Sequence, residues 1–174
     1  MTLYIIGGCS IFIIFILFVS IKVHNKYSNF NIKLEEAENS IEDLLNKKKD
    51  FLIRIKPIIN KELKSDKLAN LDKLDDNINH FELNVKVDDI YRELLSIVDT
   101  HDNLLKNEAI SNLIGALDDN EDEIDASIKF YNNYVTLYNK LRSAFPSNII
   151  GLMFGFKKKE FYSEEIREMF QILD

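Results

Sequence analysis

Residues that break helices or cross-link chains are scarce in this sequence. Among 174 residues it has five glycines, two prolines and one cysteine. So few turn-forming residues favour long helices over a β fold. The single cysteine, Cys9, excludes a disulfide within one chain and a zinc site built from cysteines. We therefore expect an all-α protein.

Positive charge is also in short supply. The chain carries 22 Lys and Arg against 29 Asp and Glu, which gives a net charge of −7. A protein this acidic is a poor ligand for nucleic acid, so no nucleic-acid partner is expected. The hydrophobic content of 46% excludes general disorder, and the length fits one domain plus a membrane segment.

Sequence motifs for catalysis and metal binding are missing as well. The run DDNEDEID at 118–125 begins like a calcium loop, but Glu123 stands where that loop requires glycine. Acidic residues are more simply explained as the first turn of a helix. The three histidines are far apart: His24, His80 and His101. We predict no catalytic residue, no metal ligand and no cofactor, and we do not expect an enzyme.

A long apolar run, by contrast, is present near the N-terminus. At about 1.5 Å per residue, residues 3–23 reach the roughly 30 Å of a bilayer core. The run lacks the basic start and the small residues of a cleaved signal peptide. We therefore predict a transmembrane anchor at 3–23 and a domain at 24–174. Lys22 and Lys26 follow the anchor, which predicts a single-pass protein of the cell membrane with its N-terminus outside and its domain in the cytoplasm.

Hydrophobic spacing beyond the anchor predicts an antiparallel bundle of three to four main helices. The first helix is expected at 27–63, with a kink or a separate last turn at Pro57. The lysines at 47–49 are expected on a solvated helix face. The other expected elements are, in order, a short helix at 66–78, an extended connector at 81–87, a helix at 89–104, a helical piece at 109–117 and a short closing helix at 164–173.

The most regular stripe lies in the last long helix, expected at 124–145. Pro146 cannot continue a helix, so we expect the helix to end near Phe145. Asn132 and Asn139 are also seven residues apart and are expected to hydrogen-bond across to another helix and fix its register. Four large side chains recur at seven-residue spacing and are predicted to be buried: Ile124, Tyr131, Tyr138 and Phe145.

The segment IIGLMFGF that follows is too apolar for an ordinary solvated loop, and it runs into three lysines. Two interpretations are open. The segment either contacts the membrane surface, with the lysines at anionic headgroups, or folds back to cap the end of the bundle. The candidate residues for contact with the membrane or a partner are Ile149, Ile150, Leu152, Met153, Phe154, Phe156, Lys157, Lys158 and Lys159.

Several motifs in this region resemble the LemA family of bacterial membrane proteins. They are FYN at 130–132, Val135, YN at 138–139, FPSN at 145–148 and GLMFGF at 151–156. A weaker resemblance lies near the front of the domain, at 37–57, where the matching residues are Ala37, Ile41, Leu45, Lys47, Lys48 and Asp50. Within it Glu38 replaces a tryptophan of the family, and Ile53 stands where the family has a proline, which appears here at Pro57. The resemblance implies a membrane-anchored helical bundle.

The features together favour a non-catalytic, membrane-anchored module that scaffolds or regulates another envelope protein. Its expected partners are the lipid bilayer and an unidentified membrane or envelope protein. One alternative is a self-assembling protein, a homo-oligomer that shapes the membrane. The other is an enzyme whose site is assembled from scattered Asp, Glu, His and Tyr residues.

Overall fold

The computed structural model describes residues 1–74 and 78–162, so the closing helix expected at 164–173 lies outside the described residues. Within these ranges the chain is helical and contains no strand, which confirms the all-α fold class. Two 3₁₀ turns, Ala69–Lys73 and Asp102–Lys106, connect the longer helices. The α-helices are α1 (Thr2–Leu63), α2 (His80–Thr100), α3 (Glu108–Ser143) and α4 (Ser147–Met153).

Helix α1 is one uninterrupted element of 62 residues. It joins the apolar N-terminal run to the helix expected at 27–63, because no glycine or proline lies between residue 9 and residue 56 to break it. It also continues past Pro57 to Leu63, so the separate last turn considered for Pro57 does not form.

The expected extended connector at 81–87 is wrong, because these residues form the first turns of α2. Asn79 caps the helix: its side-chain oxygen accepts a hydrogen bond of 3.0 Å from the backbone N–H of Glu82. Leu83 and Val87 are buried and four residues apart, whereas Val85 between them is 59% exposed. The alternation was thus part of a helical pattern. Of the short helix expected at 66–78, the described residues form a single 3₁₀ turn.

Helix α3 begins at Glu108, well before the expected start at residue 124. The acidic run at 118–125 lies in the middle of this helix, so its interpretation as a first helical turn is also wrong. The helix ends at Ser143, and Phe145 beyond it is 80% exposed, contrary to expectation. The rest of the predicted stripe is confirmed: Ile124, Tyr131 and Tyr138 are at most 2% exposed.

The helices contribute to two compact units. The first unit comprises residues 1–36 and the chain from Phe130 onward, and the second comprises Ala37–Lys129. The core of the first unit is largely aromatic, with Tyr27, Tyr131 and Tyr138 buried around Leu34 and Val135. The core of the second unit is mainly aliphatic and includes Ile41, Leu45, Leu52, Ile55, Ile59, Leu68, Val87, Leu94, Ile110 and Leu117.

Candidate functional site

The short helix α4 carries the centre of the apolar segment and has two different faces. Ile150 and Gly151 face inward and are buried. The other apolar side chains of α4, together with Phe154 at its C-terminal end, are exposed; they are called the α4 patch. Its members are Ile149 (51% exposed), Leu152 (73%), Met153 (77%) and Phe154 (54%).

Tyr27 of α1 forms the surface on which α4 packs. Its ring is fully buried, stacks on Phe156 with 4.5 Å between ring centroids, and meets Tyr138 edge-on at 5.3 Å. Its hydroxyl donates a hydrogen bond of 3.2 Å to the backbone oxygen of Ser147. Burial raises the pKa of Tyr27 above its ordinary value, although nearby Arg142 acts in the opposite direction.

Two glycines allow this packing, each for a different reason. A Cβ atom on Gly151 would lie 2.6 Å from the Tyr27 hydroxyl oxygen, so no larger residue fits without displacing the ring. Gly155 has a positive φ of 73° and ends α4 in a Schellman motif. In that motif the N–H of Phe156 bonds the Gly151 oxygen (2.9 Å) and the N–H of Gly155 bonds the Leu152 oxygen (3.2 Å). The turn directs Phe156 back onto Tyr27.

Residues 156–162, called the return segment, are held along α3 by side chains of that helix. Arg142 donates from Nε to the Phe156 oxygen at 2.9 Å. The amide of Asn139 bonds both backbone groups of Lys159, at 2.9 and 3.0 Å. The side-chain oxygen of Asn132 accepts from the N–H of Tyr162 at 2.9 Å. The expectation that the two asparagines bond another helix is therefore wrong.

The spacing of these contacts has a simple geometric reason. Seven residues of α-helix rise about 10.5 Å, and three residues of extended chain span about 10 Å. Side chains at positions 132 and 139 of α3 therefore match backbone groups three residues apart in the return segment. The equal spacing of the two asparagines was visible in the sequence, but their target was not.

The α4 patch lies beside α1 where the apolar run ends. The ring of His24 is 4.9 Å from that of Phe154 and 5.7 Å from that of Phe156. Among the described residues, α1 is the one helix long and apolar enough to cross a membrane, with a mean hydropathy of 2.4 in a stretch that is fully unburied. By length and composition, α1 is therefore a candidate membrane span.

The predicted lysines follow the α4 patch. Lys157 and Lys158 are exposed, whereas Lys159 is half-buried and held through its backbone by Asn139. Residues 130–162 contain five Lys and Arg but one acidic residue, Glu160. The stretch that carries α4 and the return segment is therefore basic although the whole protein is acidic.

The second unit contains a buried ionic cluster, which corrects the expectation of a solvated face at 47–49. The Lys48 side chain is 1% exposed, and its Nζ bonds Asp88 at 3.1 Å and also Glu121. The same Nζ lies 4.7 Å from the centre of the Tyr91 ring. Tyr91 donates its hydroxyl hydrogen to Asp118. Burial, and then this hydrogen bond, raise the pKa of Tyr91.

The residues of the acidic run therefore make contacts within the second unit. Lys47 pairs with Glu123 at 3.3 Å, and Asn120 is fully buried without a hydrogen-bond partner for either side-chain atom. Because 118–125 is helical, its carboxylates do not form a calcium loop. In the described ranges no group of three or more His, Cys, Asp or Glu residues could hold a metal ion.

The sequence model described as the LemA family matches residues 58–171, about two thirds of the chain. The chain belongs to the LemA family. The LemA match covers α2, α3, α4 and the return segment, and it includes residues 60–99, where no family motif is evident. It begins after the weaker resemblance at 37–57. A search of curated proteins and a search of solved structures each found no match.

The LemA motifs coincide with the parts of the first unit that hold α4. FYN and YN supply Asn132 and Asn139, which bond the return segment. FPSN covers the end of the turn after α3 and the first two residues of α4, and GLMFGF contains both Gly151 and Gly155. In this chain the motifs that resemble the family therefore all contribute to holding α4 and the return segment in place.

Proposed function

We propose that this protein is a membrane-anchored, non-catalytic helical module that holds or regulates another protein of the cell envelope. One observation carries the proposal: the exposed α4 patch lies beside His24, where the candidate membrane span ends, with Phe154 at 4.9 Å. For an exposed apolar surface in this position, the nearest apolar surroundings are the bilayer interface.

In this proposal the α4 patch enters the membrane interface and the lysines after it meet the headgroups. Leu152, Met153 and Phe154 supply apolar area, and each lysine near an anionic surface adds about 1 kcal/mol. Ile150 and Phe156 are turned inward and stabilise α4 on Tyr27 instead. The nine candidate residues therefore divide between membrane contact and support.

The absence of tryptophan from the chain allows a direct test. The Phe154→Trp variant of the full-length protein in lipid nanodiscs carries a single indole on the α4 patch. We expect lipids brominated in their acyl chains to quench its fluorescence strongly. Phe130→Trp, at an exposed position of α3 beside Tyr134, is the control and should be quenched much less. Equally weak quenching of both variants would contradict the membrane contact.

The orientation of the anchor is part of the proposal. Positive charge follows the span at Lys22 and Lys26, which supports an outside N-terminus and a cytoplasmic domain. Protease added to intact protoplasts should leave the domain uncut. Digestion of the domain while a cytoplasmic control protein survives would reverse this orientation.

An exposed aromatic strip supports the partner in the proposal. Phe130 is 44% exposed and Leu137 is 40% exposed on one side of α3. Tyr134 lies between them, 4.7 Å from Phe130 and 6.1 Å from Phe30 on α1. Aromatic side chains are enriched in the interfaces of protein complexes, so we assign this aromatic strip to the protein partner.

A photo-crosslinking residue at position 130 tests the partner in living cells. We expect a crosslink to a different envelope protein from position 130, and none from position 129, because the exposed Lys129 is adjacent but outside the aromatic strip. A product that contains two copies of this chain would replace the scaffold with a self-assembling protein. No crosslink above the level of position 129 would contradict both.

The buried polar groups support a structural role over a catalytic one. Lys48 bonds both Asp88 and Glu121, and Tyr91 bonds Asp118. In the first unit, Asn139 and Arg142 are used to hold backbone atoms of the return segment. Groups committed to such contacts stabilise the fold.

A further inference from the structure

A polar cavity of about 410 Å³ lies where α3 ends and α4 begins. Its volume is in the range of small-molecule sites. It belongs entirely to the first unit, and its basic lining distinguishes it from the apolar α4 patch. The residues that line it are Asn139, Arg142, Ser143, Asn148 and Lys158.

The cavity presents hydrogen-bond donors on a fixed frame. Arg142 is oriented by its Nε, which bonds the Phe156 oxygen at 2.9 Å, and its two Nη groups remain to donate. Asn148 uses its side-chain oxygen to accept from the N–H of Ile149 at 2.8 Å, which leaves its amide nitrogen as a donor. Lys158 adds an exposed ammonium group. These donors suit an anion, above all a phosphate.

The positive charge of the cavity is not neutralised by any carboxylate of the described residues. In residues 1–74 and 78–162, neither Arg142 nor Lys158 forms an ion pair with a carboxylate. The first unit has nine Lys and Arg against seven Asp and Glu, a net charge of +2, and the stretch 130–162, which contains the cavity, has five against one. The charges therefore attract an external anion.

Exposed apolar residues close in the chain to the lining residue Asn148 indicate what kind of anion the cavity takes. Phe145 and Ile149 lie on either side of Asn148 in the chain and are 80% and 51% exposed. A free phosphate ion has no apolar part that could contact these side chains, whereas a phospholipid carries acyl chains close to its phosphate. We propose that this cavity binds the headgroup phosphate of an anionic phospholipid. The inference rests on the proposed membrane contact of α4.

The test counts the lipids that stay bound. Full-length protein is released from nanodiscs of phosphatidylcholine and phosphatidylglycerol, and native mass spectrometry measures the retained phosphatidylglycerol. Lys158→Glu should lower retention roughly five- to tenfold, because it removes one donor and adds one repulsive charge. Lys158→Gln should have an intermediate effect.

Lys157→Glu is the matched control, because Lys157 is the exposed neighbour that does not line the cavity. It makes the same change in net charge and weakens the attraction of the whole protein to the bilayer. That attraction ends when the protein is released from the nanodisc, so we expect retention of a bound lipid to fall at most about twofold. Equal losses for the two glutamate variants, with unchanged helical content, would overturn the cavity as a specific site.

Soluble anions distinguish a lipid from a free phosphate. In nanodiscs of phosphatidylcholine alone, added inorganic phosphate or glycerol 3-phosphate should leave the melting temperature unchanged, whereas phosphatidylglycerol should raise it. An equal rise with inorganic phosphate would overturn the lipid assignment.

The Phe154→Trp measurement separates failure of this inference from failure of the proposed function. Strong quenching together with equal lipid retention in both glutamate variants would overturn the headgroup site alone. Weak quenching would overturn the membrane contact and the headgroup site with it.

Discussion

The two units of this protein place polar groups inside a helical core in different ways. In the first unit, buried neutral side chains bond backbone groups of neighbouring segments, as Tyr27 does with Ser147 and Asn132 with Tyr162. In the second unit a buried lysine bonds two carboxylates. A buried neutral side chain needs only a hydrogen-bond partner on the backbone. A buried charge needs several partners, because its desolvation costs much more free energy.

The net charges of the two units also differ. By full sequence the first unit has nine basic and seven acidic residues, a net charge of +2, while the second has 13 basic and 22 acidic residues, a net charge of −9. The excess of negative charge therefore lies in the second unit, and the unit that contains the candidate membrane span is weakly positive. Charge that is divided in this way supports attraction of one end of the chain to an anionic surface.

The largest expected effect is on the aromatic core of the first unit. Tyr138→Ala should lower the free energy of unfolding by roughly 2 to 5 kcal/mol, since it empties a large site that is 1% exposed. Guanidinium unfolding of the full-length protein in detergent, followed by circular dichroism, measures the loss. Lys129→Ala removes an exposed side chain and should cost less than about 0.5 kcal/mol. Similar losses in both variants would show that the buried face is misassigned.

The ionic cluster of the second unit should respond less strongly. Lys48→Ala leaves Asp88 and Glu121 without their cation, but their side chains are 27% and 32% exposed and keep some hydration. We expect a loss of about 2 to 3 kcal/mol in the same unfolding experiment. Lys48→Met retains the packing of the long apolar stem and should lose at least about 1 kcal/mol less. Equal losses in the two variants would mean that the charge of Lys48, and not the packing of its stem, accounts for its contribution.

Replacing a glycine with alanine should change the stability in opposite directions in the two units. Gly151→Ala in the first unit forces a Cβ against Tyr27 and should cost about 1 to 3 kcal/mol. Gly115→Ala in α3 of the second unit meets nothing within 4 Å and should stabilise the protein by about 0.5 to 1 kcal/mol. The same chemical unfolding curves measure both. A stabilised Gly151→Ala variant would show that Tyr27 moves aside without cost.

Alkaline pH should have the smallest effect under ordinary conditions. The pKa values of Tyr27, Tyr91 and Tyr138 are raised in the folded protein, with burial as the first cause. Below the ordinary tyrosine pKa of about 10 both folded and unfolded chains are protonated. Above it the unfolded chain loses protons first, so stability should fall as the pH rises.

Unfolding at several pH values from 9 upward, on the order of half a unit apart, measures this slope. Tyr91→Phe should make the decline shallower, because one titrating group is removed. Its stability at neutral pH falls by about 0.5 to 1.5 kcal/mol through the lost bond to Asp118, so the slopes are compared and not the absolute values. An unchanged slope would mean that the pKa of Tyr91 is not raised.

The errors of the sequence analysis have particular physical causes. The residues at 81–87 alternate like a strand, yet Leu83 and Val87 also fit a helical face, and the Asn79 cap decides for the helix. Phe145 continues the seven-residue pattern but lies two residues past the end of α3, so the spacing no longer describes its direction. Short patterns fit both periods, and packing selects one of them.

Local patterns in the sequence determined the all-α class, the candidate membrane span and the buried stripe of α3. Each depends on residues within a few helical turns, whose spacing is set by the geometry of a single helix. The tertiary structure alone decided that Lys48 is buried against Glu121, 73 residues away, and that Tyr27 bonds Ser147, 120 residues away. It also decided which side chains form the α4 patch. Hydrogen bonds and burial depend on which distant segments meet, and the spacing within one helix does not contain that information.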